Sequence, residues 1–397
     1  MKKVLLLGGN YFQQTATIAA KELGYYVISV DYLPDNPAHK YADEYHNIST
    51  IDKEAVLALA REKQIDGIVS YASDVSAPTA AYVAEKMGLP TNPYESVMTL
   101  THKDRFRAFM REHGFRMPRG DSFADESKAL DFFKKLSKPV MVKPVDSSGS
   151  KGVTKIFTDE EFHDAYEEAL SYSIIKQVII EEFISKKGYQ IDGDGFIVDG
   201  KIAFFGVMDQ HHDIECSLYT PVGLSCPSKQ KQKYQDEAKE QIQKIFDLLD
   251  MKMGEFNFEY IIGEDDQVYI LEIGPRSGGN LIPDTIKVAR EVDLASYVIK
   301  SAVGDDCSDL SERPIHSCTS SYIVHATKDG IFKKIEIDET LEEQIERQEI
   351  FVKPGDPVKK FKNAGYGIGA MIITFRNVEE MCERIDHMND YIKVIVE

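Results

Sequence analysis

The segment PVMVKPVDSSGSKGV, residues 139 to 153, delivers Lys143 at the end of an apolar strand pattern and follows it with a loop of small residues, Asp146 to Gly152. Glycines and serines let backbone N–H groups approach phosphate oxygens closely, and a lysine adds a point charge. No G-K-[ST] opens a helix here, so the loop is not a Walker A cradle. Taken alone it reads equally well as an ordinary hairpin with a solvated lysine.

Two further runs, FNFEYII and VYILEIG, carry Glu259 and Glu272 among large apolar residues and are joined by the polar turn Gly263 to Gln267. An unpaired carboxylate in such a setting is costly. Adjacent antiparallel strands would bring both side chains to one point, and two carboxylates plus nucleotide phosphates are a usual way to bind magnesium. Pairing with a nearby lysine or arginine is the alternative, and it stays open for Glu259. For Glu272 the nearest basic residue is Arg276, which the Gly274-Pro275 turn aims at a ligand. The run QVIIEEFI carries Glu181 and Glu182 near its end and leads into backbone able to read an adenine edge, as many edge strands could.

Three other groups carry weaker signals. In DQHHDIEC (209 to 216), His211, His212 and Cys216 suggest a metal, but no second cluster completes a zinc set, so the stretch reads as a substrate loop with His212 as a contact. Asp74, after the third apolar run, stands where open parallel sheets bind ligands, although N-capping by Asp74 or Ser76 is the simpler role. Asp31 occupies the place of a ribose-binding acid, yet the turn before it is only Gly8-Gly9-Asn10, not a full G-x-G-x-x-G.

The elements that must hold these residues follow from periodicity. KVLLL, YYVISV and DGIVS alternate with helical patterns at 11–23, 52–62 and 75–87, which predicts a parallel βαβαβα sheet. A helix at 103–112 precedes short strands around one acidic helix, 159–169, and a hairpin pair at 188–208. An irregular stretch to Ser228, a helix at 231–249, the two glutamate strands and a helix at 284–303 complete the middle of the chain. The expected division is 1–92, 93–305 with a lid at about 116–187, and a strand-rich C-terminal cap at 306–397. The fold class is α/β plus α+β.

The formal charge of −19 disfavours nucleic acid and anionic membranes, so a polyphosphate must be held by a few local cations and N–H groups. Five cysteines without a CxxC pair fit a reducing cytoplasm. The opening MKKVLLLGGN breaks too early for a signal peptide and continues as strand, turn and helix.

In order and spacing, the set resembles the ATP-grasp superfamily of ligases: Lys103 in THKDRFRAFMREHGFRMP, Lys143 with SSGSKG, EEFI at 181–184, Glu259, and LEIGPR at 271–276. The chain is most similar to the carboxylate-amine branch, which includes carbamoyl-phosphate synthase, biotin carboxylase and amino-acid ligases. The resemblance covers about the first three quarters of the chain, and the GYGIG turn at 365–369 is similar to one in the cap of the amino-acid ligases.

The resemblance implies an ATP-grasp fold with a Rossmann-like N-terminal domain. It implies that Lys103 and Lys143 contact ATP phosphates under the loop bearing Ser148, Gly149, Ser150 and Gly152. Glu181 and the backbone of Phe183 and Ile184 would face adenine; the family's ribose-binding acid has no clear counterpart, and KKGYQID offers Gln190 or Asp192, of which Gln190 is taken. Glu259 and Glu272 would hold magnesium, or manganese in its place. Arg276, with Lys143, would serve the chemistry by gripping the acyl phosphate or a substrate carboxylate. Phosphoryl transfer of this kind is mainly positioning and charge neutralisation and needs no protein nucleophile. One departure is Gly274, where the family often has Asn. Asn280 is a candidate to replace that ligand.

The expected reaction joins a small carboxylate, activated as an acyl phosphate, to an amine, giving ADP and phosphate. Small molecules are the expected partners, and a homodimer is compatible with this. The alternatives are bicarbonate or carbamate activation, or an ATP-sensing module without turnover.

Overall fold

The computed structural model describes residues 1–397. Its first sheet is parallel, built from β1 (Lys3–Leu7), β2 (Tyr26–Val30), β3 (Glu44–His46) and β4 (Gly67–Ser70) in the order β3-β2-β1-β4. Helices α1 (Gln14–Glu22), α2 (Lys53–Lys63) and α3 (Ala77–Met87) alternate with the strands. Val4 and Leu6 pack on α1 and on a helix from much later in the chain, while Leu5 and Leu7 pack on α2 and α3. A strand buried on both faces has to read as a continuous apolar run, as KVLLL does. Strand β3 was not expected, because its residues EYH are only half-buried.

Gly8 turns the chain out of β1 at φ +100°, where a Cβ would lie 2.2 Å from the Gln13 amide. Asp31 accepts the N–H of Gly9 at 2.9 Å, that of Leu33 at 3.0 Å and the Asn36 side-chain amide at 2.8 Å. These bonds make it a loop clasp and leave the ribose-binding reading without support.

Helices α4 (Tyr94–Thr101) and α5 (Lys103–Glu112) lead into a small antiparallel sheet of β5 (Gly120–Phe123), β6 (Val140–Pro144), β7 (Thr154–Ile156) and β8 (Val178–Glu182), ordered β5-β8-β6-β7. Helices α6 (Glu126–Phe133) and α7 (Phe162–Tyr172) cover its outer face through Phe133, Phe162 and Tyr166.

The largest sheet combines β9 (Ile191–Val198), β10 (Lys201–His212), β11 (Pro221–Cys226), β12 (Gly254–Ile262) and β13 (Val268–Gly274) with strands from the C-terminal segment. Helix α8 (Gln232–Leu248) packs on it. Helices α9 (Ile282–Arg290) and α10 (Leu294–Ala302) follow, and α10 is the late helix that packs beneath β1.

Next come β14 (Cys318–His325), β15 (Gly330–Ile337), α11 (Glu339–Glu342), β16 (Ile345–Ile350), β17 (Pro357–Val358), β18 (Gly367–Phe375), α12 (Val378–Asp386), α13 (Met388–Tyr391) and β19 (Ile392–Val396). The large sheet runs β13-β12-β9-β10-β11-β14-β18-β16, and β17-β15-β19 form a separate small one.

The small sheet carries two helices, α6 and α7, where one was expected, and two further expectations change. The stretch before Ser228 is not irregular throughout, since β11 is buried between β10 and β14 and carries the sheet into the C-terminal segment. The single helix at 284–303 is two: Glu291 sits at φ 55°, which ends α9, and the Asp293 carboxylate caps α10 by accepting the Ser296 N–H.

Candidate active site

One cavity of about 910 Å³ lies between the small antiparallel sheet and the large sheet. Its floor follows from strand alternation in EFNFE. Phe256, Phe258 and Tyr260 turn into the core with α8, so Glu255, Asn257 and Glu259 share the opposite face.

Across the sheet, Glu259 stands directly opposite Glu272 on β13 and Asp192 on β9. Three acids therefore sit side by side on neighbouring strands. Burial first, then the charges of Asp192 and Glu272, push the Glu259 carboxyl up to about 8. Its Oε2 accepts from the Gln190 amide at 2.8 Å. Asp192 is raised mainly by burial, against hydrogen bonds from Asn257, Gln210 and the Gly193 N–H. A row of hard oxygen donors, too anionic to stay charged by itself, suits a divalent cation.

The opposing charges come from α5 and the small sheet. The Lys103 ammonium donates to Glu272 at 3.3 Å and to the Ser147 carbonyl at 3.1 Å. Lys143, on β6, donates at 3.0 Å to Glu181 on β8, and Arg107 donates to the other oxygen of Glu181 at 2.5 Å. Glu181 is fully buried. Burial acts to raise its pKa, but Arg107 and Lys143 outweigh it and hold the carboxyl near about 2. Its carboxylate, on the cavity wall, is engaged by both cations and fixes Lys143 in place.

The loop after Lys143 takes three left-handed positions, Gly149 (φ 67°), Ser150 (φ 56°) and Gly152 (φ 69°). It is closed over the cavity: the Ser150 hydroxyl donates to the Tyr219 carbonyl at 2.8 Å, and the Ala364 N–H donates to the Gly149 carbonyl at 3.3 Å. Ser148 lies within the same loop and also lines the cavity. Phe183 and Ile184 line the end beyond Glu181, with the Lys155 ammonium 3.7 Å over the Phe183 ring.

Residues 101–280 match the protein-family model for the ATP-grasp domain. The chain carries an ATP-grasp domain. Among relatives, it is 25% identical over 327 residues to the carbamoyl phosphate synthase large chain, C-terminal section, of Aquifex aeolicus, covering 78% of this chain and 59% of that protein. The chain therefore spans little more than half of that relative's length. It is also 25% identical over 391 residues to the formate-dependent phosphoribosylglycinamide formyltransferase of Methanocaldococcus jannaschii, covering 96% and 95% of the two chains. Among solved structures, the L-amino acid ligase from Bacillus licheniformis matches with a TM-score of 0.84 at 18% identity, over 100% of this chain and 99% of that one. The expected fold is therefore shown.

Within the ATP-grasp domain and its neighbours, the structure places the remaining candidates as follows. Arg276 lines the cavity but is clamped by Asp74, Nε to Oδ1 at 2.8 Å and Nη2 to Oδ2 at 2.6 Å, with a third bond to the Ser277 carbonyl at 2.8 Å. Asp74 is thus an ion-pair partner, and neither it nor Ser76 caps α3 through a side chain. Asn280 lines the cavity at φ 52°.

Gln190 lines the cavity, and its side-chain amide donates to Glu259 at 2.8 Å. His212 is not part of the cavity wall. Burial, with Lys186 beside it, pushes its imidazole down to about 3, so it is a neutral packing residue.

Sequence reasoning missed Arg107, Asn257 and Asp194, and offered Asp192 only as a ribose contact. Each had a signal: Arg107 follows Lys103 by one helical turn, Asn257 precedes Glu259 by one strand repeat, and DGDG alternates acids with glycines inside an apolar strand. Asp194 accepts the Gly278 N–H with both oxygens at 2.9 Å, anchoring the loop that carries Arg276 and Asn280.

Proposed function

We propose that the protein is an ATP-dependent carboxylate–amine ligase. The observation that carries this reading is the cross-strand pair Glu259 and Glu272 facing Lys103 and Lys143 inside a single cavity. Glu259 and Glu272 would hold magnesium, which when bound neutralises phosphate charge and polarises the phosphoryl oxygens. Lys103 and Lys143 would pair with phosphate oxygens, and the N–H groups of loop 147–152 would exclude water over them. Adenine would rest between the Phe183–Ile184 backbone and Met141, Ile261 and Leu271 of the cavity wall.

In the first step a carboxylate oxygen attacks the γ-phosphorus of ATP, the bond to the β-phosphate oxygen breaks, and ADP leaves. In the second, an amine attacks the acyl carbon, loses a proton, and phosphate departs with the former carboxylate oxygen. Arg276 lies where it can hold the reacting carboxylate, so these residues position and neutralise without forming a covalent bond.

We further propose the division into an N-terminal α/β domain to about residue 92, the ATP-grasp domain, and a C-terminal segment from about 306. The cytoplasm is the proposed location, which five unbonded cysteines support. No helix is long and apolar enough to cross a membrane.

Screening acid and amine pairs for phosphate release tests the reading, with Lys143→Ala and Glu272→Gln as controls. ADP and phosphate appearing only when both partners are present supports it. AMP and pyrophosphate as products would exclude it.

A further inference from the structure

Gly274 is followed two residues later by Arg276, and the space above this glycine is not empty. A Cβ built there would lie 2.9 Å from Asp74 Oδ1 and 3.0 Å from the Arg276 guanidinium carbon. A side chain at 274 would push into the Asp74–Arg276 pair. The glycine therefore lets a carboxylate from the N-terminal sheet reach the floor of the ATP-grasp cavity, next to the strand that carries Glu272.

Both members of the pair are 11% exposed and both line the cavity. An ion pair on a cavity wall can exchange partners with a ligand that brings one charge of each sign. A simple carboxylate would displace Asp74 from Arg276 and leave Asp74 buried and uncompensated, which is strongly unfavourable. A ligand carrying a carboxylate and an ammonium leaves neither charge alone.

We propose that the Asp74–Arg276 pair selects an amino acid as the activated acid, its carboxylate taken by Arg276 and its ammonium by Asp74; this rests on the ligase reading above. The other cations of the cavity serve its nucleotide end. Lys103 is held by Glu272, and Lys143 and Arg107 by Glu181. Of those without an ion-pair partner, Lys151 belongs to the phosphate loop, Lys155 lies over Phe183, and Lys186 lies beside Glu259. Uncharged residues of the cavity wall, among them Asn10, Phe12, Val75 and Leu218, offer no further cation for a phosphorylated substrate and suit a neutral or apolar side chain. An ammonium held by Asp74 stays protonated and cannot act as the nucleophile. The attacking amine must then come from a second molecule.

Hydroxylamine replaces the unknown amine in the test, because it converts an acyl phosphate to a hydroxamate that ferric iron reports by colour. The intact protein is given MgATP, hydroxylamine and each proteinogenic L-amino acid, alongside the matching acid that lacks the amino group. The expected result is hydroxamate from one or a few amino acids, with kcat/KM at least about a hundredfold lower for the des-amino acid.

Asp74→Asn is expected to raise KM for the amino acid about tenfold or more and to erase most of that discrimination, with KM for ATP unchanged. Des-amino acids turned over as well as amino acids would overturn the proposal while leaving the ligase reading intact. So would undiminished discrimination in Asp74→Asn. Hydroxamate from no acid at all would defeat the ligase reading. Calorimetry of the unmodified protein with the same amino acids and a non-hydrolysable ATP analogue then decides this one, and absence of binding overturns it.

Discussion

The two ends of the cavity are built differently. At the phosphate end, Lys103, Arg107, Lys143, Glu181, Glu259 and Glu272 all come from residues 101–280, and each cation has a partner within that segment. At the proposed acid end, the Asp74–Arg276 pair joins the loop after β4 to the loop after β13, 202 positions apart. The first end, the proposed nucleotide clamp, draws all its charged side chains from one segment, so relatives that share this domain can share it. The second is assembled from remote pieces, so it can differ between relatives while the clamp stays the same.

That contrast can be broken or sharpened by mutation. The largest effect is expected for Glu272→Gln, which removes one of the two opposed carboxylates. Phosphate release should fall about a thousandfold or more, with the fold intact by circular dichroism. Arg107→Ala should act on stability, because it leaves the buried Glu181 with one cation. Denaturant unfolding should show a loss of about 3–5 kcal/mol.

Next in size is a pH effect at the phosphate end. Glu259 titrates near 4.5 in its ordinary state and is pushed up to about 8 by burial and by Asp192 and Glu272. Between those values the folded chain without metal binds more protons than the unfolded chain, so its stability should fall as pH rises across the window. Magnesium affinity should rise over the same range, since the carboxylate must lose its proton to bind. Thermal melts from about pH 5 to about pH 8, with and without magnesium, read both trends, and a melting temperature that climbs with pH in the metal-free protein would contradict the assignment.

At the acid end, Gly274→Ala should cost about 1–3 kcal/mol of local overpacking and raise KM for the acid, not for ATP. An equal rise in both constants would show that the two ends are not independent. Smallest of all, Ser150→Ala removes one loop bond to the Tyr219 carbonyl, worth about 1 kcal/mol, and should appear as faster hydrogen exchange in loop 147–152.

Much of the clamp is legible in the order of the residues alone. Lys103 begins its helix where the pattern puts it, and Lys143 stands at the end of its strand, just ahead of the small-residue loop. Glu259 and Glu272 pair across two strands joined by a tight turn. These are local features, in which spacing along the chain converts directly into spacing on a helix or strand. The residues whose roles differ from expectation depend on partners far away in sequence. Glu181 reads as a ligand contact, but Arg107, 74 positions away, holds it. His212 reads as a contact, but it is half-buried and off the cavity wall. Asp74 reads as a cap, but Arg276, 202 positions away, takes both its oxygens.

The sequence by itself therefore determined the parallel first sheet and the charge types of the proposed nucleotide clamp, because periodicity and short spacings are set by helix and strand geometry. Tertiary structure alone decided that the C-terminal strands extend the central sheet through β11, that Asp192 joins the row of acids, and that Asp74 enters the cavity over Gly274. Those outcomes rest on which elements pack together, and a buried charge takes whichever opposite charge the packing brings within reach. Separation along the chain does not record that choice.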